Sequence, residues 1–209
     1  MENKKNLESI NKKFFNEIAG YYDNFILKSL FVKALKKLIK TMGIKKNSKI
    51  LDLGCGTGNL LHLLEKENKN LKLYGIDISE EMLKIAKDRL NKKTELKLIS
   101  AEKIDFKNKF DYVFSTEAFH HYSDYHLIMN NIYKSLKNNG KLIVLDVDFG
   151  YFLNKIFHLI EPGNNKMHSP LEFKKLFEAH GFKNIRQKRI NFLFILTAGE
   201  KIMSNSQNI

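Results

Sequence analysis

From Lys49 onward, apolar runs of strand length alternate with segments whose apolar residues recur every three or four positions. That alternation is the mark of strands joined by helices around a parallel sheet. Strands are expected at 49–53, 71–76, 95–99, 110–115 and 141–147, and helices at about 58–68, 79–92 and 124–137. The helical period is cleanest over 80–90, where Met82, Leu83, Ile85, Ala86 and Leu90 are apolar. Ser79 opens this segment as a capping hydroxyl, and Glu80 and Glu81 suit the positive end of the helix dipole. Another helix is expected over Leu171–His180, with Gly181 placed for a left-handed cap. The two runs that follow, Phe182–Arg189 and Ile190–Thr197, are too close for a helical crossover, so they should pair antiparallel.

The N-terminal part reads differently. Leu7, Ile10, Phe14, Phe15 and Ile18 keep a helical spacing that Gly20 is expected to break. From Phe25 the period resumes, with Leu27, Leu30, Phe31, Ala34, Leu35, Leu38 and Ile39 on one face and Lys28, Lys33, Lys36, Lys37 and Lys40 on the rest, ending at Gly43. Such a basic amphipathic helix either packs on the domain or caps an active site and also touches a membrane surface. Residues 1–44 are therefore taken as a helical cap within the same domain, 45–200 as the core, and 201–209 as a polar tail. Asp148 to Pro170 is expected to be irregular.

Length and composition narrow the class. A chain of 209 residues suits one well-cored domain, and neither a membrane-spanning segment nor a secretory leader is expected from its apolar runs and its polar first residues. A cytoplasmic location is expected. Cys55 is the one cysteine, so neither an internal disulfide nor a cysteine-based metal site is expected, and its place in a glycine turn marks it as a small filler. The net charge of +13 raises the question of nucleic acid, an anionic membrane or an acidic substrate. Because the lysines are spread along the chain, most of this charge reads as sequence bias on solvated faces, and nucleic acid is not expected as a partner.

Chemistry concentrates at Lys49–Leu61, a strand, a glycine turn and the start of a helix. Gly54, Gly56 and Gly58 let the backbone turn sharply and approach a nucleotide-like ligand closely. The spacing departs from the dinucleotide fingerprint G-x-G-x-x-G, whose third glycine would fall on Asn59. Asp52 sits just before the turn, where its charge opposes a pyrophosphate and favours an ammonium such as the methionyl amine of S-adenosylmethionine. Leu51-Asp-Leu-Gly-Cys-Gly-Thr-Gly58 resembles the first motif of class I S-adenosylmethionine-dependent methyltransferases. The resemblance spans roughly residues 45–200. It implies an α/β Rossmann-like seven-stranded sheet of order 3-2-1-4-5-7-6 with strand 7 antiparallel, and S-adenosyl-L-methionine as cofactor.

Downstream residues extend the reading. Asp77 closes the second strand 19 residues after Gly58, in place to accept both ribose hydroxyls, or else to cap the next helix. The resemblance puts Ile78 on the adenine face and Ala101 and Glu102, in Ser100-Ala101-Glu102, at the adenine edge. Glu102 reads equally well as an exposed loop acid. After the fourth strand, Ser115, Thr116, Glu117, His120 and His121 should border the transferred methyl, because ligands in open α/β sheets sit outside the strands' carboxyl ends. Ser115 is assigned to the cofactor. His120 and His121, which precede Asp124 in a run similar to that of small-molecule methyltransferases, are the candidate bases. Asp146 and Asp148 lie at the same edge.

No proline follows this strand, in contrast to the Asn/Asp-Pro-Pro-aromatic run of enzymes that methylate base amines. Phe15 to Asp23 resembles the entry segment of ubiquinone/menaquinone-biosynthesis methyltransferases, which implies that Tyr21 or Tyr22 covers the methionyl end of the cofactor. Those enzymes differ after the fourth strand, where this chain has His120-His121. The expected function is methyl transfer to a small molecule. The alternatives are an RNA methyltransferase, a methyltransferase of a quinone- or lipid-type substrate, and a non-catalytic S-adenosylmethionine-binding protein.

Overall fold

The computed structural model describes residues 2–23, 28–67, 69–148, 150 and 165–202, with side chains from residue 6 onward. Most of the irregular 148–170 stretch, the tail beyond Ile202, and Phe25 and Leu27 lie outside the described residues. Two helices come first, α1 (Glu2–Tyr22) and α2 (Lys28–Met42). The alternating part then runs β1 (Lys49–Leu53), α3 (Asn59–Glu65), β2 (Lys72–Asp77), α4 (Glu80–Arg89), β3 (Glu95–Leu98), β4 (Phe110–Thr116), α5 (Tyr125–Ser135) and β5 (Leu136–Val147). The chain ends in α6 (Pro170–Ala179), β6 (Phe182–Arg189) and β7 (Phe194–Lys201).

The seven strands form one sheet of order β3-β2-β1-β4-β5-β7-β6, in which β7 alone runs antiparallel to its neighbours β5 and β6. Strands β1 and β4 lie at its centre and are buried along nearly their whole length, as strands covered on both faces must be. One face packs on α2, α3 and α4 through a cluster that includes Leu35, Leu38, Ile50, Leu61, Phe114 and Leu196. The other packs on α5 and α6 through Leu51, Val113, Ile132, Leu142, Phe173 and Phe177. Both faces deliver the carboxyl ends of β1, β2, β4 and β5 to one edge.

Local signals set most boundaries. The Ser79 side chain accepts Met82 N–H at 3.1 Å, Asp124 accepts Leu127 N–H at 3.0 Å, and Ser169 with Glu172 makes a reciprocal capping box ahead of Pro170. Gly181 takes φ +82°, the left-handed cap expected of it.

Three elements differ from the sequence reading, the first being β5, which starts at Leu136 rather than Lys141 because Leu136 already pairs with Phe110 of β4 ahead of a shift in register. Helix α1 passes through Gly20 and reaches Tyr22, because one glycine costs a helix only about 1 kcal/mol relative to alanine and the residue is exposed, with no packing to lose. Strand β7 starts at Phe194 rather than Ile190: the Asn191 side-chain Oδ1 accepts the N–H groups of both Leu193 and Phe194 at 2.9 Å, turning residues 190–193 into the hairpin loop.

Helix α1 lies across the carboxyl edge and is held largely by polar contacts. Glu8 pairs with Lys103, Asn16 accepts the Ser79 hydroxyl at 2.7 Å, and Asp23 pairs with Arg89. Asp23 also accepts Thr57 Oγ1–H and Asn59 Nδ2–H at 3.1 Å each, which fastens the end of α1 to the glycine turn.

Candidate active site

The glycine turn begins where β1 stops. Gly54 has φ +67°, and a Cβ there would stand 2.6 Å from that of Ala118, so the position combines a left-handed backbone with close approach of the loop after β4. Gly56 has φ +50° and nothing within 4 Å of its missing Cβ, which leaves its backbone open to the space above. Gly58 is a packing position, with Leu90 Cδ1 2.9 Å from where a Cβ would lie, and it does not reach the cleft wall.

Two acids flank the turn. The Asp77 carboxylate accepts Gly56 N–H at 2.8 Å and Ser79 N–H at 2.9 Å, so it ties the turn to the start of α4 while also lining the cleft. Burial pushes its pKa up, and the N–H groups of Ser79, Gly56 and Ile78 oppose that rise. Asp52 is 1% exposed and stands behind the cleft wall, and neither carboxylate oxygen makes a hydrogen bond among the described residues. Burial, and then the charge of Asp77, push its pKa well above the usual carboxylate range. A buried, unpaired carboxylate beside a glycine turn is a place that a cation would relieve.

The cleft opens above this turn with α1 as its roof. Phe15 and Tyr22 descend from α1, their rings 6.5 Å apart. Tyr21 is 77% exposed, so of the two adjacent tyrosines Tyr22 is the one in the cleft. Ile78, Met82, Ile99 and Ala101 form an apolar wall at the ends of β2 and β3. Glu102 lines the same wall, but its carboxylate accepts Ser123 N–H at 3.1 Å, Ser123 Oγ–H at 2.9 Å and the Ser100 hydroxyl. Its side chain thus braces the loop after β4.

Sequence reasoning passed over Asn11, which is 3% exposed and lines the cleft. Its Nδ2 donates to the His121 carbonyl at 2.8 Å, leaving Oδ1 buried without a partner among the described residues. The available signal was a polar residue between Leu7 and Phe14, on the apolar face of α1.

The end of β4 supplies the remaining wall. Thr116, Glu117, Ala118, His121 and Tyr122 line the cleft, and Glu117 holds φ +52°, a conformation that non-glycine residues adopt at a cost. Ser115 is fully buried beneath this wall, its hydroxyl 3.2 Å from the Tyr122 hydroxyl, so it supports Tyr122 from behind. The two histidines separate. His121 faces the cleft with its ring edge-on to Phe15 at 4.9 Å, while His120 lies behind it, ring centroids 4.1 Å apart. His120 Nδ1 stands 2.6 Å from Asp146 Oδ1 at the end of β5, both side chains at most 5% exposed. Asp148, the other acid of this edge, is instead paired with Arg189. Beyond them His168 is packed against Phe119, Tyr125 and Phe173. Burial, and then the charge of Lys166, lower its pKa to about 4.

An open glycine turn, a cleft-lining acid at the end of β2, an orphaned carboxylate and an apolar wall at the ends of β2 and β3 suit a ligand that joins an adenosine to a cationic amine. Comparison with known proteins agrees. The family model described as a methyltransferase domain matches residues 44–192. Demethylmenaquinone methyltransferase of Staphylococcus aureus is 27% identical over 216 residues, covering 88% of this chain and 89% of the relative. Among solved structures, a chain of the Haloferax volcanii complex between the Trm112 methyltransferase activator and a methyltransferase superposes with a TM-score of 0.80 at 19% identity, covering 90% of this chain and 98% of that one. Phosphoethanolamine N-methyltransferase 2 of Haemonchus contortus, solved with S-adenosyl-L-methionine, superposes with a TM-score of 0.73 at 16% identity, covering 90% of this chain and 60% of that one. With the family model covering most of the chain, and a sheet order and glycine turn to match, the protein belongs to the class I S-adenosylmethionine-dependent methyltransferases.

Proposed function

We propose that the methyl acceptor is a small molecule carrying an O–H or N–H group, and that the His120–His121 pair receives its proton. One observation carries this reading: the buried 2.6 Å contact between His120 Nδ1 and Asp146, directly behind the cleft-facing His121. A carboxylate at Nδ1 holds the proton on that nitrogen and orients the ring, so Nε2 is the basic nitrogen. His121 touches the cleft with its ring tilted against that of His120, which suits it to position the acceptor beside the pair.

Bound S-adenosylmethionine supplies a methyl group already activated on a sulfonium, so the protein's main task is alignment. Good positioning can contribute roughly 7–11 kcal/mol. In this reading Asp77 receives the ribose hydroxyls, Asp52 supplies the counter-charge to the amine from behind the cleft wall, and Ile78 and Ala101 hold the adenine. Gly54 and Gly56 form the floor. Tyr22 and Phe15, on the 1–44 cap, exclude water from above. Gly58 and Ser115 contribute through packing, and Glu102 through its grip on Ser123.

A quinone- or lipid-type acceptor is the second reading, favoured by the name of the Staphylococcus aureus relative. An RNA acceptor has less support, given the proline-free run after β4. Location in the cytoplasm belongs to the proposal too, and among the described residues no helix is long and apolar enough to cross a membrane.

Steady-state kinetics of His120→Ala, His121→Ala and Asp146→Asn, alongside calorimetry with S-adenosylhomocysteine, test the assignment. Loss of a general base should lower turnover about 10²–10⁴-fold while leaving cofactor-product affinity nearly intact. Equal loss of S-adenosylhomocysteine binding in both histidine variants would place these residues in the cofactor pocket or the core and end the base assignment.

A further inference from the structure

The lysines that look scattered along the sequence converge in space. Helix α2 carries Lys28, Lys33, Lys36, Lys37 and Lys40 and no acid, and the edge strand β6 carries Lys183, Arg186, Lys188 and Arg189 and no acid. The apolar face of α2 (Phe31, Ala34, Leu35, Leu38, Ile39) is consumed by the core, so this helix has nothing left to insert into a bilayer. What it shows to solvent between Ser29 and Thr41 is lysine, serine and threonine.

Arg186 and Lys188 stand opposite Ala198 and Leu196 of β7, residues of the core cluster that packs on α2, so both side chains lie on the α2 side of the sheet. Thr41 and Met42 from α2, and Arg186 and Lys188 from β6, border one open groove together with Lys141. The Lys37 ammonium donates to the Ile190 carbonyl at 2.6 Å, joining the helix to the β6–β7 turn. The acid lining that groove is Glu200, which is paired with Lys141. At the upper end of this basic face, in the hairpin loop, Phe192 is 68% exposed. That loop is at the carboxyl edge of the sheet, because Asp148 N–H donates to the Leu193 carbonyl at 2.8 Å. The edge with the exposed aromatic is therefore the edge on which the cleft opens.

We infer that the α2–β6 face docks on an anionic lipid bilayer, with Phe192 as a shallow apolar anchor beside the cleft. The pattern is a field of flexible lysines with one aromatic at its rim, the combination that binds headgroups by charge and the interface by a ring. Single-stranded RNA is the less fitting occupant. The exposed positions of α2 and β6 include no aromatic on which bases could stack, and lysine outnumbers arginine by seven to two across the two elements, against the usual preference at phosphate forks.

Co-sedimentation of the whole protein with vesicles tests this, comparing pure phosphatidylcholine with phosphatidylcholine containing phosphatidylglycerol. Binding is expected only with the anionic lipid, and it should weaken as salt rises. Lys33→Gln/Lys36→Gln/Lys40→Gln should lower the partition coefficient roughly a hundredfold, at about fivefold per charge removed. Phe192→Ser should lower it with the salt dependence unchanged. S-adenosylhomocysteine affinity, measured in parallel, should be the same in all variants, which shows that they are folded. Equal sedimentation with neutral and anionic vesicles would overturn the inference. So would tighter binding of a structured RNA that is lost in the same lysine variant.

Discussion

Asp52→Asn separates what the fold needs from what the ligand needs. In the free protein the Asp52 carboxylate is buried, with both oxygens lacking hydrogen bonds among the described residues and with Asp77 nearby. An unsatisfied buried polar group costs about 1–3 kcal/mol, and a charged one more. The Asn amide stays unsatisfied, so replacing the carboxylate with it removes only the added cost of the charge and should stabilise the ligand-free protein by about 1 kcal/mol or more, at roughly 2–4 °C in melting temperature per kcal/mol for a chain of this length. The sign with pH follows from the raised pKa. Between the unfolded carboxylate value of 3.8 and the higher folded value, the native state holds more protons than the unfolded one. Wild-type stability thus falls as pH rises through that window and then levels off. The advantage of the variant should be small near pH 4 and complete in alkaline buffer. S-adenosylhomocysteine reverses the order, because its ammonium loses its counter-charge in the variant and affinity should drop at least about tenfold, or 1.4 kcal/mol. Thermal melts across pH, with and without that ligand, read both effects. A variant less stable than wild type at pH 8 without ligand, or one with undiminished affinity, would refute the reasoning.

Other substitutions probe the neighbouring parts. Gly54→Ala meets both a left-handed backbone and the Cβ of Ala118, so it should cost about 2–5 kcal/mol; Gly56→Ala meets only the backbone term of about 1–2 kcal/mol, and denaturant melts should rank them so. Asp77→Ala removes the acceptor of two backbone N–H groups, each worth about 1.5–3 kcal/mol, so it should lower stability in the free protein as well as cofactor affinity. An unchanged melt would mean that the turn holds itself. His168, with its pKa lowered to about 4 from 6.5, should withdraw about 3 kcal/mol of stability as pH falls through that interval. His168→Phe should flatten the acid limb of the stability curve between those values.

The fold was legible because its signals are local and repeated. Apolar runs of strand length and a 3.6-residue period placed five parallel strands and their helices, all but the start of β5 within a few residues, and the Ser79 hydroxyl marked one helix start. The misplaced starts and stops fall where tertiary context outweighs one residue's preference, as at Gly20 in α1, or where a side chain makes a turn that hydrophobicity cannot show, as at Asn191. At the site, Asp77 was recognisable from its register after the glycine turn. Its hold on Ser79 at the start of α4 was one of the two readings the sequence offered, but its hold on Gly56 was not legible, since a hydrogen bond across 21 residues leaves no spacing signature. The pairing of His120 with Asp146 depends on β4 and β5 lying side by side, and the bracing of Glu102 on a loop that folds back. Both are consequences of topology. The same holds for the basic face, which is dispersed in sequence and assembled by the contact of α2 with the β6–β7 hairpin.

The most direct test of the account is methyl transfer itself. Purified protein is incubated with S-adenosylmethionine carrying an isotopically labelled methyl group and with a cell extract divided into small-molecule, lipid and RNA fractions, and each fraction is then analysed by mass spectrometry. The account predicts a product one labelled methyl heavier in the small-molecule or lipid fraction, formed by wild type and lost in Asp77→Ala. Label confined to RNA, or none transferred by a protein that binds S-adenosylhomocysteine, would contradict it.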